Sequence, residues 1–252
     1  FTPCLNFPLF NNINKDDLFD ENQSENYSIS DFASDYFNQR YEGNSITKED
    51  IFFYIYGLLH LEDYRIRFAN NLTKDLPRIP AVKKYDDFKL FSKKGKLLSD
   101  LHINYDVIDP YPVEIKEGDL RLAVIDDPKK FFYVRKMRFA SKDKSSIIYN
   151  ANITIQNIPM EAYSYVVNGK SPIEWIVERY QVTQNDDTAI SNDPNEYANL
   201  VMKDPKYPLL LLQRIISLSL KTLEIVKSLP AKQNIAYTNV STNDTYNTCH
   251  GT

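Results

Sequence analysis

The sequence predicts a mixed α/β (α+β) fold, in which central strands around residues 106–158 are flanked by helices and a long helix lies near the C-terminus. The central segments are rich in β-branched and aromatic residues and partly alternate between apolar and polar positions. Capping signatures precede apolar, periodic stretches on both sides of them. The run LLLLQRIISLSLKTLEIV at 209–226 is long, apolar and free of helix breakers.

Helices dominate the predicted structure before the strands. A short helix is expected around Ser30 to Arg40, and Thr47 opens the next, with Asp50 as its capping-box partner. The body of that helix, IFFYIYGLLH, is apolar on nearly every face, which predicts a buried position or a neighbouring domain. The stretch 61–72 carries an apolar helical face, and the prolines of LPRIPAV then force an extended path.

The remaining elements follow in order. Asp86 or Asp87 is expected to cap a helix through 88–105. Four strand segments follow, VEIK, LRLAVI, FFYVRKMRF and SIIYNANITI. Ser171 caps a further helix, with Pro at its first position and Glu174 at its third, and we expect Trp175 in the core. The last helix is predicted from about Pro208 to Ser228.

The chain divides by composition into three parts. Residues 1–44 form an acidic lead-in, which is part of the domain or a linker to it; residues 45–230 form the main domain; and residues 231–252 form a flexible tail without periodicity. The first residue is Phe rather than Met, from which we expect a segment of a longer chain.

Net charge is unevenly distributed. The first 50 residues hold ten acidic and three basic side chains, a net of −7, so the remaining 202 carry +3 within a chain of net charge −4. A mildly basic body is compatible with nucleic-acid binding. Two cysteines at opposite ends exclude a disulfide framework and favour a reducing cytoplasm. No apolar run approaches the ~20 residues that a membrane span requires.

The sequence lacks the motifs that several kinds of catalysis and cofactor binding require. The six glycines are never closer than fourteen residues, which argues against a glycine-rich phosphate or S-adenosylmethionine loop. The Asn/Asp-Pro-Pro-aromatic tetrapeptide of adenine methyltransferases is missing from the sequence, and its three histidines fit no zinc or triad signature. We therefore expect no cofactor, no metal site and no catalytic residue here.

One segment resembles a metal-dependent nuclease motif. In DPYPVEIK, Asp109, Glu114 and Lys116 follow the acid…Glu-x-Lys layout, in which two carboxylates hold a divalent ion and the lysine stabilises the attacked phosphate. The gap between the two acids is short for that layout. An edge strand with alternating charges is the simpler interpretation.

The most unusual stretch is KKFFYVRKMRFASKDK at 129–144. Seven of its sixteen residues are Lys or Arg and only Asp143 is acidic. As one extended strand it would project Lys136 and Arg138 together, and the following turn would add Lys142 and Lys144. Such charges hold DNA phosphates, and Arg can bond guanine through two parallel hydrogen bonds. A solvated strand edge guarded by lysines explains the stretch equally well.

Several longer segments of the sequence together resemble a known protein family. ITKEDIFFYIYGLLHLEDYRIRFANNLTKDLPRIP, FSKKGKLLSDLHINYD, NITIQNIPMEAYSYVVNGKSPIEWIVERYQV and ISNDPN resemble the C-terminal specificity domain of Type ISP restriction-modification enzymes, from about Ser45 to Pro230. These are single-chain, helicase-bearing relatives of Type I systems used in phage defence.

The resemblance implies recognition of a double-stranded DNA target by a non-catalytic domain. Its partners would be that DNA and the methyltransferase and helicase domains of the same parent chain, with no membrane; the parent would be a restriction endonuclease and adenine methyltransferase. The candidate DNA-binding residues are Arg135, Lys136, Arg138, Lys142, Lys144 and Lys170. Two alternatives remain open: a helical module that couples methyltransferase to translocase with little base contact, and the nuclease around Asp109–Lys116.

Overall fold

The computed structural model describes residues 8–10, 27–72, 76–184 and 191–230. Residues 1–7 and 11–26 of the acidic lead-in, both cysteines and the predicted flexible tail at 231–252 lie outside the described residues. The predicted mixed α/β class is confirmed. No described helix is both long and apolar enough to cross a membrane.

The described chain divides into two compact units, with the boundary between Lys96 and Leu97; Leu229 and Pro230 group with the first unit. The predicted single domain over 45–230 therefore includes parts of both. The first unit is helical. Its helices are α1 (Asp31–Arg40), α2 (Lys48–His60), α3 (Glu62–Arg67), α4 (Ala69–Leu72) and the first part of α5 (Tyr85–Ile103).

Local sequence explains most of these helix starts. Ser30 caps α1, and Thr47 and Asp50 form the predicted capping box of α2. The start of α5 differs from the prediction, because the helix begins at Tyr85. Asp86 and Asp87 thus lie inside its first turn, where their charges still favour the positive end of the helix dipole.

Tyrosine hydroxyls hold the extended proline segment of the first unit. The buried Tyr41 donates to the carbonyl of Val82 at 2.7 Å, and the buried Tyr64 donates to that of Arg78 at 2.6 Å. Tyr54 donates to the carbonyl of Pro80, between them. Three alternate carbonyls of an extended segment are therefore bonded by tyrosine side chains.

Two glycines allow α2 and α5 to approach at backbone distance. A Cβ atom on Gly95 would lie 1.8 Å from the carbonyl oxygen of Phe53, and one on Gly57 would lie 2.7 Å from that of Phe91. Real Cβ atoms do not approach backbone so closely, so both positions require glycine unless the helices separate. This crossing fixes the aromatic core of the first unit.

The second unit contains a small antiparallel sheet, whose strand order is β1-β4-β3-β2. These strands are β1 (Glu114–Ile115), β2 (Arg138–Phe139), β3 (Ile147–Ile148) and β4 (Thr154–Gln156). Ile147 and Ile155 are opposite each other and fully buried, so this face of the sheet covers the core. A separate pair is formed by β5 (Thr183–Gln184) and β6 (Ser191–Asn192).

Helices complete the second unit. They are the end of α5, α6 (Pro128–Phe131), a 3-10 helix (Met160–Ser164), α7 (Pro172–Arg179), α8 (Pro194–Glu196), a π-helix (Tyr197–Val201) and α9 (Tyr207–Lys227). The long final helix is confirmed. Its Leu212 and Ile216 are fully buried in the same core as the sheet.

One predicted strand is replaced by a turn, and another is shortened to two residues. In LRLAVI, Asp119 accepts a hydrogen bond from the backbone N–H of Arg121 at 2.9 Å, which forms a turn and leaves Leu122 82% exposed. In FFYVRKMRF, Asp127 caps the short helix α6, so only Arg138 and Phe139 belong to a strand. In both segments an aspartate side chain accepts a hydrogen bond from a backbone N–H farther along the chain, and the sequence prediction did not include this bond.

We predict that Gly95→Ala destabilises the first unit by about 1–3 kcal/mol or more, because the added methyl group overpacks a backbone contact. The free energy of unfolding, measured by urea titration and circular dichroism, checks this. Lys93→Ala, at an exposed position of the same helix, is the matched control and should change stability by less than about 0.5 kcal/mol. Equal stability of the two variants would contradict the proposed role of the helix crossing.

Candidate nucleic-acid interface

The buried side chain of Asn195 fixes the backbone at the start of the basic stretch. Its Oδ1 accepts a hydrogen bond from the N–H of Val134 at 3.0 Å, and its Nδ2 donates to the carbonyl of the same residue at 2.9 Å. Asn195 is 4% exposed, and its Nδ2 also donates to Asp193 at 2.6 Å. The amide thus takes the place of a β-strand neighbour for one residue.

Further side chains bind the carbonyls on either side of Val134. The hydroxyl of Tyr149 donates to the carbonyl of Phe132 at 2.7 Å, and Nδ2 of Asn150 donates to the carbonyls of Phe131 and Tyr133 at 2.8 and 3.0 Å. The carbonyls of four successive residues are therefore hydrogen-bonded by side chains instead of by a sheet. The segment can follow an irregular path that buries Phe132 and Val134 and turns the next two residues outward.

The path presents Arg135, Lys136 and Arg138 to solvent. The N–H of Val182 donates to the carbonyl of Arg135 at 2.9 Å, and Met137 is 1% exposed, inside the core. Because alternate residues of an extended chain point to opposite sides, Lys136 and Arg138 project to the same side, away from the core. Arg138 lies on the edge strand of the sheet.

The turn after β2 exposes Lys142 but turns Lys144 inward. Asp143 accepts hydrogen bonds from the hydroxyl of Ser141 and from the N–H of Ser145, which lower the pKa of its carboxyl group and close the turn. The backbone of Lys144 has a φ of 61°, and its ammonium group lies 2.6 Å from Glu174. Lys142 is exposed.

Lys170 is also paired. Its ammonium group bonds to Glu178 and lies 5.1 Å from the centroid of the Trp175 ring. The ring itself is half-buried, and its Nε1 donates to the carbonyl of Val167 at 2.8 Å. The prediction that Trp175 lies in the core was therefore wrong. Its ring is only partly covered, and the ammonium group of Lys170 lies over it.

The six candidate cations fall into two groups. Four of them are exposed and have no acidic partner within the described part of the chain, and we call these the basic edge: Arg135, Lys136, Arg138 and Lys142. Lys144 and Lys170 instead contact the first and second turns of α7 through Glu174 and Glu178. Sequence reasoning identified Glu174 only as a helix cap, because the partner of its second carboxylate oxygen lies thirty residues away.

The nuclease-like residues form no metal cluster. Glu114 accepts a hydrogen bond from the side chain of Asn157, and the carbonyl of Asp109 accepts one from Ser217 at 2.8 Å. Among the residues that the structure describes, no three His, Cys, Asp or Glu side chains lie close enough together to hold an ion.

The family comparison matches most of the chain. The model of the "Type ISP C-terminal specificity domain" matches residues 4–211. A comparison with curated proteins finds no match.

Three solved structures are similar to this chain. One is a nuclease-deletion mutant of the Type ISP restriction-modification enzyme LlaGI in complex with a DNA substrate mimic, at 42% identity and a TM-score of 0.62 over 75% of this chain. The second is the ATP-dependent Type ISP restriction-modification enzyme LlaBIII bound to DNA, at 36% identity and a TM-score of 0.67 over 81%. The third is a DrdV–DNA complex, at 29% identity and a TM-score of 0.65 over 82%. The match spans 14%, 12% and 20% of those chains, in the same order.

The ion pair between Lys144 and Glu174 gives a pH-dependent prediction. The hydrogen bond from Lys144, reinforced by those from Ser171, lowers the pKa of Glu174 from 4.5 to about 2. The stabilisation is therefore fully present above the unfolded-state pKa, near 4.5, and is lost as the pH falls towards 2. We expect the native chain to be more stable than Glu174→Gln at pH 6 and the difference to vanish near pH 2.

Urea titrations of both proteins between pH 2 and 7 measure this difference. Glu224→Gln, which changes an exposed carboxylate of α9 without an ion pair in the described chain, is the matched control and should show no such convergence. A stability difference between the native chain and Glu174→Gln that does not change with pH would contradict the assignment.

Proposed function

This chain belongs to the Type ISP C-terminal specificity domain family, and on that basis we propose that it recognises a target sequence in double-stranded DNA. LlaGI is bound to a DNA substrate mimic, and LlaBIII is bound to DNA, in the structures that resemble it. The chain corresponds to only 12–20% of the length of these relatives. We propose that nuclease, translocase and adenine methyltransferase activities belong to other parts of a cytoplasmic parent chain.

The basic edge carries this proposal. Within an acidic chain, Arg135, Lys136, Arg138 and Lys142 are exposed on one segment and its turn, and none has an acidic partner among the described residues. A cation that no carboxylate neutralises can contact a DNA phosphate and release its counterion without first breaking an internal pair. Lys144 and Lys170 would have to lose such a pair, which makes them weaker candidates.

The two kinds of cation have different roles in the proposal. Lys136 and Lys142 act on phosphates, where a mobile point charge is sufficient. Arg138 reads a guanine, since its planar guanidinium can bond O6 and N7 at the same time. The fixed backbone before it, bonded to Asn195, limits the orientations from which the Arg138 side chain can reach a base edge.

We predict that Lys136→Ala together with Lys142→Ala lowers the slope of log affinity against log salt by about 1.8, since each phosphate contact contributes about 0.9. The loss should be similar on cognate and random duplexes, and is measured by salt-dependent binding of the full-length parent. Lys93→Ala with Lys221→Ala is the matched control: both are exposed helical lysines without an ion pair in the described chain. Unchanged affinity and slope in the test pair would show that Lys136 and Lys142 contact no phosphate.

Arg138→Lys tests base reading separately, because it preserves the charge and removes the two-pronged geometry. We expect the salt slope to stay within error while discrimination at one G·C pair falls by about 1–3 kcal/mol. Competition binding of the parent enzyme with single-substituted duplexes measures the effect. A loss that is uniform over all duplexes would assign Arg138 to phosphate.

A further inference from the structure

The basic edge continues into a row of polar side chains. Lys136 and Gln181 form an antiparallel bridge, next to the hydrogen bond from the N–H of Val182 to the carbonyl of Arg135. The chain then enters β5, where Thr183 is opposite Asn192 of β6. The backbone bonding of the basic edge is thus continuous with the β5–β6 pair.

The register decides which side chains share a face. Residues directly opposite each other in an antiparallel pair project to the same face, so Gln181 projects with Lys136. Alternation along the extended chain places Thr183 on that face as well, and Asn192 follows from its pairing. We call Gln181, Thr183 and Asn192 the polar row. Gln184 projects to the opposite face.

The side-chain amides of the polar row form no hydrogen bond within the described part of the chain. Asn150 and Asn195 of the same unit bond to backbone carbonyls, as structural amides do. By contrast, the side chains of Gln181 and Asn192 have no hydrogen-bond partner within the residues that the structure describes. Gln181 is half-exposed beside Lys136, and its amide atoms are not among the buried unbonded polar atoms of the described chain, so its donors and acceptor are available.

We propose that Gln181 is a specificity-determining residue that reads an adenine in the major groove, next to the position contacted from the basic edge. This rests on the proposed DNA-binding function. The side-chain amide of Gln can accept from N6 and donate to N7 of adenine, and a two-stranded ribbon fits the major groove. Opposed side chains in a sheet are about 5 Å apart at Cβ. Adjacent base pairs are about 3.4 Å apart, so Gln181 can reach a base edge while Lys136 contacts a phosphate of a neighbouring step.

The experiment compares the sequences that full-length parent variants select from a pool of random duplexes. For Gln181→Ala we expect one A·T position of the selected sequence to lose its preference, with a discrimination loss of roughly 5- to 150-fold, while other positions keep theirs. Affinity for random duplexes and the salt slope should not change, since no phosphate contact is removed. Gln184→Ala is the matched control, because it alters a nearby glutamine that projects to the opposite face and should leave the selected sequence intact.

Other outcomes overturn the inference. A selected sequence identical to that of the native parent would show that Gln181 reads no base. A uniform loss on cognate and random duplexes, repeated in the isosteric Gln181→Met, would assign the residue a structural role. Failure of the proposed DNA-binding function can be distinguished from failure of the Gln181 inference. In the first case the native parent would enrich no sequence, or the paired Lys136 and Lys142 substitutions would leave binding unchanged.

Discussion

Both ends of the buried Asn195 amide bond to the backbone of Val134, and the path of the basic edge depends on this contact. Without it, an N–H and a carbonyl would be buried and unsatisfied, which costs several kcal/mol in total. Tyr149 and Asn150 bind the neighbouring carbonyls in the same way. The segment is consequently neither strand nor helix, yet its direction is fixed, and Arg135 and Lys136 leave the core at a defined place.

Side chains replace sheet neighbours in the first unit too. The hydroxyls of Tyr41, Tyr54 and Tyr64 bond to alternate carbonyls of the proline-rich segment. Prolines lack the N–H that a regular ladder of paired strands uses, and in this segment tyrosine hydroxyls supply donors to the carbonyls. This use of tyrosine accounts for buried hydroxyls in a chain with eighteen tyrosines. In both units, polar side chains thus bond to carbonyls of backbone outside the regular strands.

Acidic residues of α7 pair with two of the six candidate cations. Glu174 and Glu178 are one helical turn apart and pair with Lys144 and Lys170. Glu174 also forms the capping box with Ser171, so its pair with Lys144 anchors the turn after β2 to the start of α7. Of the six candidate cations, the four without such a partner among the described residues form the basic edge, next to the unbonded amides of the polar row. Charge and hydrogen-bonding capacity are therefore both concentrated along one continuous piece of backbone, as a surface that reads base edges between phosphates requires.

The sequence by itself determined the elements whose signals are local. Thr47 with Asp50, and Ser171 with Glu174, identified two helix starts correctly because a capping box involves residues only three apart. The family, and the concentration of positive charge at 129–144, were also visible in the sequence. The tertiary structure decided which cations are available, because the partner of Lys144 lies thirty residues away and that of Val134 sixty-one. It also decided the faces of the polar row, since the register of Lys136 with Gln181 arises from pairing between segments distant in the chain. No periodicity within either segment encodes such a pairing, and only the folded backbone brings the two segments together.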